Sequence, residues 1–364
     1  MAFPRSIPAL VLAALFAAGC ASSPPLPPAP LGQDELDQFL AAGRDARTYG
    51  ITTYRDPAGS RFEFANRVHP HRMARIGFAG PSRLKTPVVR AQTGRSVDCN
   101  VLLDSSARQS WLLLASVTAM DYRPFAPPEG EYPDHVLSPV PGYAGVANKL
   151  KFDTLHVESP IFFVPPARGG FGPLARAEER PGPDAKYSES RRSLGANTHV
   201  VMGAAAMQSF AFVRLDFPAR SVLFSTEKTY APNNSAAVKA VLPMRNWRGR
   251  PAVDLSFGGI PILAVVDTAG DFSISLPDTD ELPATLVLGD FPLEDVVPSS
   301  HEYLSLPPSF PARIGLGILS RFAVVLDFKH RRVWFEDPSA AAVPVASDAD
   351  NEPNAPVHYR GITP

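Results

Sequence analysis

Apolar positions in this chain fall in short runs, and many are spaced two apart. Val222 and Phe224 alternate with their neighbours, and Val333 and Phe335 do the same, as strand residues facing one core would. Two other runs are continuous. Val101-Leu102-Leu103 and Ala264-Val265-Val266 are strands of mostly branched aliphatics, and each runs into an aspartate. A turn signal precedes each, Thr93-Gly94 or Gly258-Gly259, with apolar residues on both sides. That pattern predicts a β-hairpin carrying an aspartate at its far end. Helical character is confined to residues 33–47 and to two short apolar runs, 204–210 and 316–322.

The runs come in matched pairs. Leu215-Asp216-Phe217-Pro218-Ala219-Arg220-Ser221-Val222-Leu223-Phe224 recurs 111 positions on as Leu326-Asp327-Phe328-Lys329-His330-Arg331-Arg332-Val333-Trp334-Phe335. The shared pattern, L-D-F-x-x-R-x-V-x-F, reads as a hairpin in which an Asp–Arg brace is expected at the turn. Upstream, Val201-Met202-Gly203 corresponds to Arg313-Ile314-Gly315, and each precedes one of the short helical runs. Further upstream, Asp104-Ser105-Ser106-Ala107 corresponds to Asp267-Thr268-Ala269-Gly270. Self-similarity at this scale means one unit used twice. The expected architecture is mainly β, with two homologous β-rich lobes at residues 82–230 and 240–337 and a cleft between them. Residues 33–81 form an N-terminal extension. The stretch 165–197 is an insertion in the first lobe, expected as a surface loop. Residues 338–364, rich in Ala, Pro and Asp, are expected to be disordered.

Composition supports this and removes several alternatives. Hydrophobic residues make up 45% of the 364, enough to bury a core. Forty prolines argue against a mainly helical protein, since each removes a backbone donor. With 35 basic and 36 acidic residues the net charge is -1, so no basic field exists to hold nucleic acid. Cys20 and Cys99 are too few for a disulfide framework or a thiolate metal site. His69 and His71 flank Pro70 in a polar stretch that reads as a loop. No metal and no cofactor is expected, and a monomer is the expected state.

The first residues read as an address. Arg5 precedes an apolar run, 7–18, that is too short to span a bilayer and fits a secretory signal. The run ends Leu15-Phe16-Ala17-Ala18-Gly19-Cys20, which resembles the lipobox of bacterial lipoproteins. The resemblance implies a signal peptide over 1–19, lipidation of Cys20 and attachment at the periplasmic face of the envelope. Ala21 after the cysteine implies the outer membrane. Residues 20–32 are a proline-rich linker expected to be extended. Cys99 is then left alone, as a small buried hydrophobe.

A hydrophobic strand ending in Asp-hydroxyl-small, once per lobe, resembles the aspartic peptidases. The pepsin-like and retropepsin-like branches both carry Asp-Thr/Ser-Gly in each half and a later apolar-apolar-Gly strand. Those elements correspond here to Asp104-Ser105-Ser106 with Val201-Met202-Gly203, and to Asp267-Thr268-Ala269 with Arg313-Ile314-Gly315. The resemblance implies an endopeptidase whose catalytic pair is Asp104 and Asp267. It also implies that Ser105 and Thr268 brace the two loops, with Ser106, Ala269, Gly203 and Gly315 supporting them. The implied partner is an extended polypeptide lying in the cleft. The alternative is a catalytically inactive protein of the same fold that binds an envelope peptide or protein.

The chemistry accounts for the residue types. Two carboxylates at about 4 Å and an effective dielectric of about 20 repel by about 4 kcal/mol, roughly three pK units. One therefore ionises while the other keeps its proton, and together they activate a water. The family's third motif position is glycine, here Ser106 and Ala269. A positive φ there would strain each by roughly 1–2 kcal/mol. A negative φ would cost little and keep the amide as a donor. Other hydrolase signatures are absent from the sequence: no G-x-S-x-G, no H-E-x-x-H, no G-x-x-x-x-G-K. Trp111, Phe210, Phe322 and Trp334 are expected in the core. Tyr122, Tyr132 and Tyr143 lie where a covering flap would fall.

Overall fold

In the computed structural model, the described residues run from 29 to 338, leaving out 31, 57–58, 64–66, 69–71, 81, 83, 126–142, 165–166, 169–197, 227–229, 233, 278–284 and 302–307. His69, His71, Tyr132, Cys20 and nearly all of 165–197 and 338–364 therefore lie outside them. The fold is mainly β and consists of two β-rich lobes joined by a shared sheet.

Each lobe is organised around its aspartate strand. In lobe 1, Val88–Thr93 and Asp98–Asp104 form the expected hairpin, with Val89 opposite Val101. In lobe 2 the hairpin joins Arg250–Phe257 to Ile260–Val266 through Gly258 and Gly259. Both glycines have positive φ (57° and 85°), which a two-residue hairpin turn of this hand requires. A parallel partner then covers each aspartate strand: Val200–Gly203 beside Asp98–Asp104, and Ala312–Ile314 beside Ile260–Val266. A short antiparallel strand flanks each of these partners, Trp111–Leu112 in lobe 1 and Ile274–Leu276 in lobe 2. The continuous aliphatic runs are explained by this arrangement, because a strand in the middle of a packed sheet is apolar on both faces.

The two L-D-F-x-x-R hairpins meet in a six-stranded sheet between the lobes. Phe212–Asp216 lies antiparallel to Ala323–Asp327, with Arg214 opposite Val325, Val213 opposite Leu326 and Leu215 opposite Val324. The repeat offset of 111 carries 214 onto 325, so these two residues face each other across the pseudo-two-fold axis. An outer strand completes each side: Met73–Gly77 beside Ser221–Ser225, and Val238–Pro243 beside Arg332–Glu336. Met73–Gly77, upstream of residue 82, thus holds in lobe 1 the place that Val238–Pro243 holds in lobe 2.

The turn of this repeat works differently from an Asp–Arg brace. Asp216 accepts from the amide of Ala219 (3.0 Å), and Asp327 from the amide of His330 (3.0 Å). Arg220 and Arg331 take the left-handed position of the turn, with φ of 52° and 54°. The Arg220 guanidinium instead donates to the carbonyls of Ala79, Gly80, Ser82 and Leu84. Asp216 pairs with Arg214, two residues upstream on the same strand (2.8 Å).

Trp111, Phe210 and Phe322 are buried as expected, while Trp334 is partly exposed. Tyr122 is a core residue whose hydroxyl donates to the carbonyls of Tyr143 (2.7 Å) and Phe162 (3.1 Å). Cys99 is buried in the same core, and burial, then the charge of Asp98, pushes its thiol up to about 12. Residues 33–47 divide into a helix, Gln33–Ala41, and a 3₁₀ turn, Ala46–Tyr49. The end of the proline-rich linker, Ala29–Pro30, is extended and pairs with Ala167–Arg168.

Candidate active site

The axis that relates the lobes brings the two aspartate loops together, although 163 positions separate them. Four hydrogen bonds join the loops. The Ser105 amide donates to Thr268 Oγ1 (3.0 Å), and the Thr268 amide donates to Ser105 Oγ (3.2 Å). Ser105 Oγ in turn donates to the Val266 carbonyl (2.6 Å), and Thr268 Oγ1 to the Leu103 carbonyl (2.7 Å). Both hydroxyl residues are fully buried. Each hydroxyl accepts one bond and donates one, so the link is reciprocal and leaves no buried hydroxyl unsatisfied. Arg250 adds a further tie, reaching from lobe 2 to donate to the Ser106 carbonyl (2.7 Å).

Ser106 and Ala269 each present a backbone amide to the aspartate two residues upstream. Neither is among the residues with positive φ, so neither side chain is strained by its backbone. The Ser106 amide donates to Asp104 Oδ1 (2.9 Å), and the Ala269 amide to Asp267 Oδ1 (3.1 Å). The Ser106 hydroxyl adds a bond of 2.8 Å to the same oxygen of Asp104, and the Ala107 amide a third, 3.1 Å. In lobe 2 a glycine is needed one position later. A Cβ on Gly270 would stand 2.2 Å from Asp267 Oδ2.

Gly203 and Gly315 are required by close approach rather than by φ, which is negative at both. A Cβ on Gly203 would come within 2.2 Å of the Gln109 carbonyl oxygen, and one on Gly315 within 2.4 Å of the Phe272 carbonyl oxygen. The residue after each glycine ties its chain to the aspartate loop. The Ala204 amide donates to the Ala107 carbonyl and the Leu316 amide to the Gly270 carbonyl, both at 2.7 Å.

The two carboxyl groups differ in their surroundings. Asp104 is 6% exposed; its three donors converge on Oδ1, leaving Oδ2 outside that set of bonds. Burial first, then the charge of Asp267, pushes Asp104 up to about 6, while the Ser106 donors and Arg313 pull the other way. Asp267 is completely buried and both of its oxygens are engaged. Oδ1 accepts from Ala269, and Oδ2 is ion-paired with the guanidinium of Arg313.

Arg313 was legible only as an imperfection in the sequence. It stands where the apolar-apolar-Gly strand has Val201 in the other lobe. The strand registers show how it is housed. Val201 lies beside Leu102 on one side and Trp111 on the other. Arg313 lies beside Val265 and Ser275. A small serine thus replaces a tryptophan next to the residue that becomes arginine. The guanidinium sits 4.9 Å from the centre of the Phe272 ring, a cation–π distance. Arg313 is 4% exposed, and its Nε and the Ser275 hydroxyl are buried without a hydrogen-bond partner among the described residues.

Among the described residues no group of three His, Cys, Asp or Glu side chains is placed to hold a metal ion.

Comparison with protein-family models finds no match, and comparison with curated proteins finds none either. Among solved structures, the chain is similar to the crystal structure of basic 7S globulin from soybean. The two are 11% identical with a TM-score of 0.43, over 74% of this chain and 97% of that one.

Proposed function

We propose that this protein has the acid-protease architecture but does not hydrolyse peptides, and that it holds an extended polypeptide in the cleft between its lobes. The observation that carries the reading is the Arg313–Asp267 ion pair. A shared-water mechanism needs each carboxyl group to offer an oxygen to the water and to pass a proton. With Oδ2 of Asp267 bound to a cation and Oδ1 bound to an amide, that carboxyl group has no oxygen left to serve as base. Asp104 alone supplies one proton site and no partner. An extended ligand would pair its backbone with strand edges along the cleft.

The test is to incubate the folded body with a quenched-fluorescence peptide library from acid to neutral pH and to measure binding of the same peptides by calorimetry. Saturable binding is expected, with no cleavage above that of the Asp104→Asn variant. Cleavage by the wild type that disappears in Asp104→Asn overturns the reading. Absence of any peptide binding removes its second half.

The reading as an aspartic endopeptidase, with Asp104 and Asp267 catalytic, draws support from the intact four-bond link between the loops and from the retained amide donors to both carboxyl groups. It requires Arg313 to leave Asp267 when substrate enters.

We also propose that the mature protein begins at a lipidated Cys20 and stands on the periplasmic face of the outer membrane. The support is the sequence around Cys20 with its proline-rich spacer. Cells expressing the full chain should incorporate labelled palmitate into it, and Cys20→Ser should abolish the label and release the protein from membranes. A Cys20→Ser chain that stays membrane-bound would remove the anchor.

A further inference from the structure

We propose that Arg313 is the one residue that silences an otherwise assembled aspartic dyad, so that replacing it creates a peptidase. The proposal rests on the non-hydrolytic reading above and deepens it. Several other features of such a site are present among the described residues. The loops are joined by reciprocal hydroxyl bonds, and both carboxyl groups receive an amide. The replaced glycines leave no backbone strain at Ser106 or Ala269. Arg313 is the exception to the internal symmetry at the site: its counterpart in lobe 1, Val201, is apolar and cannot pair with Asp104 as Arg313 pairs with Asp267.

Arg313 is held at the site by its ion pair to Asp267 and by the Phe272 ring beneath its guanidinium. Among the described residues its Nε has no hydrogen-bond partner, nor has the Ser275 hydroxyl beside it in the sheet.

With an apolar side chain at 313, Asp267 and Asp104 are two neighbouring buried carboxyl groups with no cation between them. They then hold one proton in common. The reaction that follows is hydrolysis. The water oxygen bonds to the peptide carbonyl carbon and gives one proton to the charged carboxylate, while the neutral carboxyl gives its proton to the carbonyl oxygen. The resulting gem-diol collapses as its C–N bond breaks. The leaving nitrogen takes a proton from the pair and one diol hydroxyl returns a proton to it. One water is consumed, an acid and an amine are released, and no other reactant is needed.

The experiment uses the folded body with Arg313→Val, Arg313→Met and Arg313→Gln, each assayed on the same quenched peptide library at mildly acid pH. Turnover about two orders of magnitude above wild type is expected in at least the Val or Met variant, the scale of acid–base catalysis. Adding Asp104→Asn to the active variant should abolish it. In an Arg313→Ala variant that gains activity, free guanidinium ion should suppress that activity in a dose-dependent way at concentrations far below those that unfold it. Folded variants that stay silent overturn the proposal, as does activity that survives Asp104→Asn. Failure of all the variants to fold overturns it too, because Arg313 is then a structural element. A silent variant beside a silent wild type leaves the non-hydrolytic reading standing; a wild type that cleaves sinks that reading as well.

Discussion

Arg214→Met should lower stability by about 3–5 kcal/mol, read as a large drop in the urea midpoint, the scale of removing one partner from a buried ion cluster. Arg214 sits on the pseudo-two-fold axis and is 1% exposed. Its guanidinium bridges Asp216 Oδ2 (2.8 Å) and Glu336 Oε2 (3.2 Å), one carboxylate from each lobe's hairpin. The Tyr230 hydroxyl donates to the other oxygen of Glu336. Methionine would fill much of the space, but it would leave two buried carboxylates with no cation. Replacing all three charged residues together, as Arg214→Met with Asp216→Asn and Glu336→Gln, should recover part of the loss, because a buried cluster's value lies mostly in its mutual compensation. An Arg214→Met chain as stable as wild type would show that the cluster is solvated. The cluster ties the hairpin of one lobe to that of the other.

The second large effect is in pH. Asp104 titrates at about 6 in the folded protein against an ordinary 3.8. Between those values the native state binds more protons than the unfolded chain. Its stabilising contribution is therefore complete below about pH 4 and is lost as pH rises through about 6, a total of about 3 kcal/mol. Asp104→Asn mimics the neutral carboxyl, and its amide oxygen can still accept from Ser106 and Ala107. The variant should therefore be more stable than wild type near neutral pH, by up to about 3 kcal/mol, and close to it at about pH 4. Urea midpoints measured at both values check this. A difference that does not change with pH would show that Asp104 is not the group that titrates. The physical cause is that burial and the negative charge of Asp267 both oppose a second negative charge in the site.

Much of this architecture could be read along the chain. Alternation at Val222 and Phe224, the continuous aliphatic runs before Asp104 and Asp267, and the Gly258-Gly259 turn are local signals, and local signals set strand and hairpin identity. Repetition supplied the rest. Two copies of L-D-F-x-x-R imply two copies of one unit, and the strand registers place Arg214 and Val325 on the axis between them. The outer strand Met73–Gly77 was not legible, because a strand at a sheet's edge carries a weak pattern and its lobe-2 counterpart shares little sequence with it.

The sequence by itself determined that there are two β lobes, each ending a buried strand in an aspartate followed by a hydroxyl residue, since strand periodicity and turn chemistry act over a few neighbouring residues. Only the tertiary structure decided what surrounds each aspartate. Whether Ser106 and Ala269 are strained depends on φ, and φ there depends on how the loops meet across the axis. Whether Arg313 is a surface charge or the ion partner of Asp267 depends on which strand lies beside it and on the room that Ser275 leaves. Charge pairing acts through space at a few ångströms, and residues 267 and 313 are joined only by the parallel pairing of two strands that no local pattern encodes.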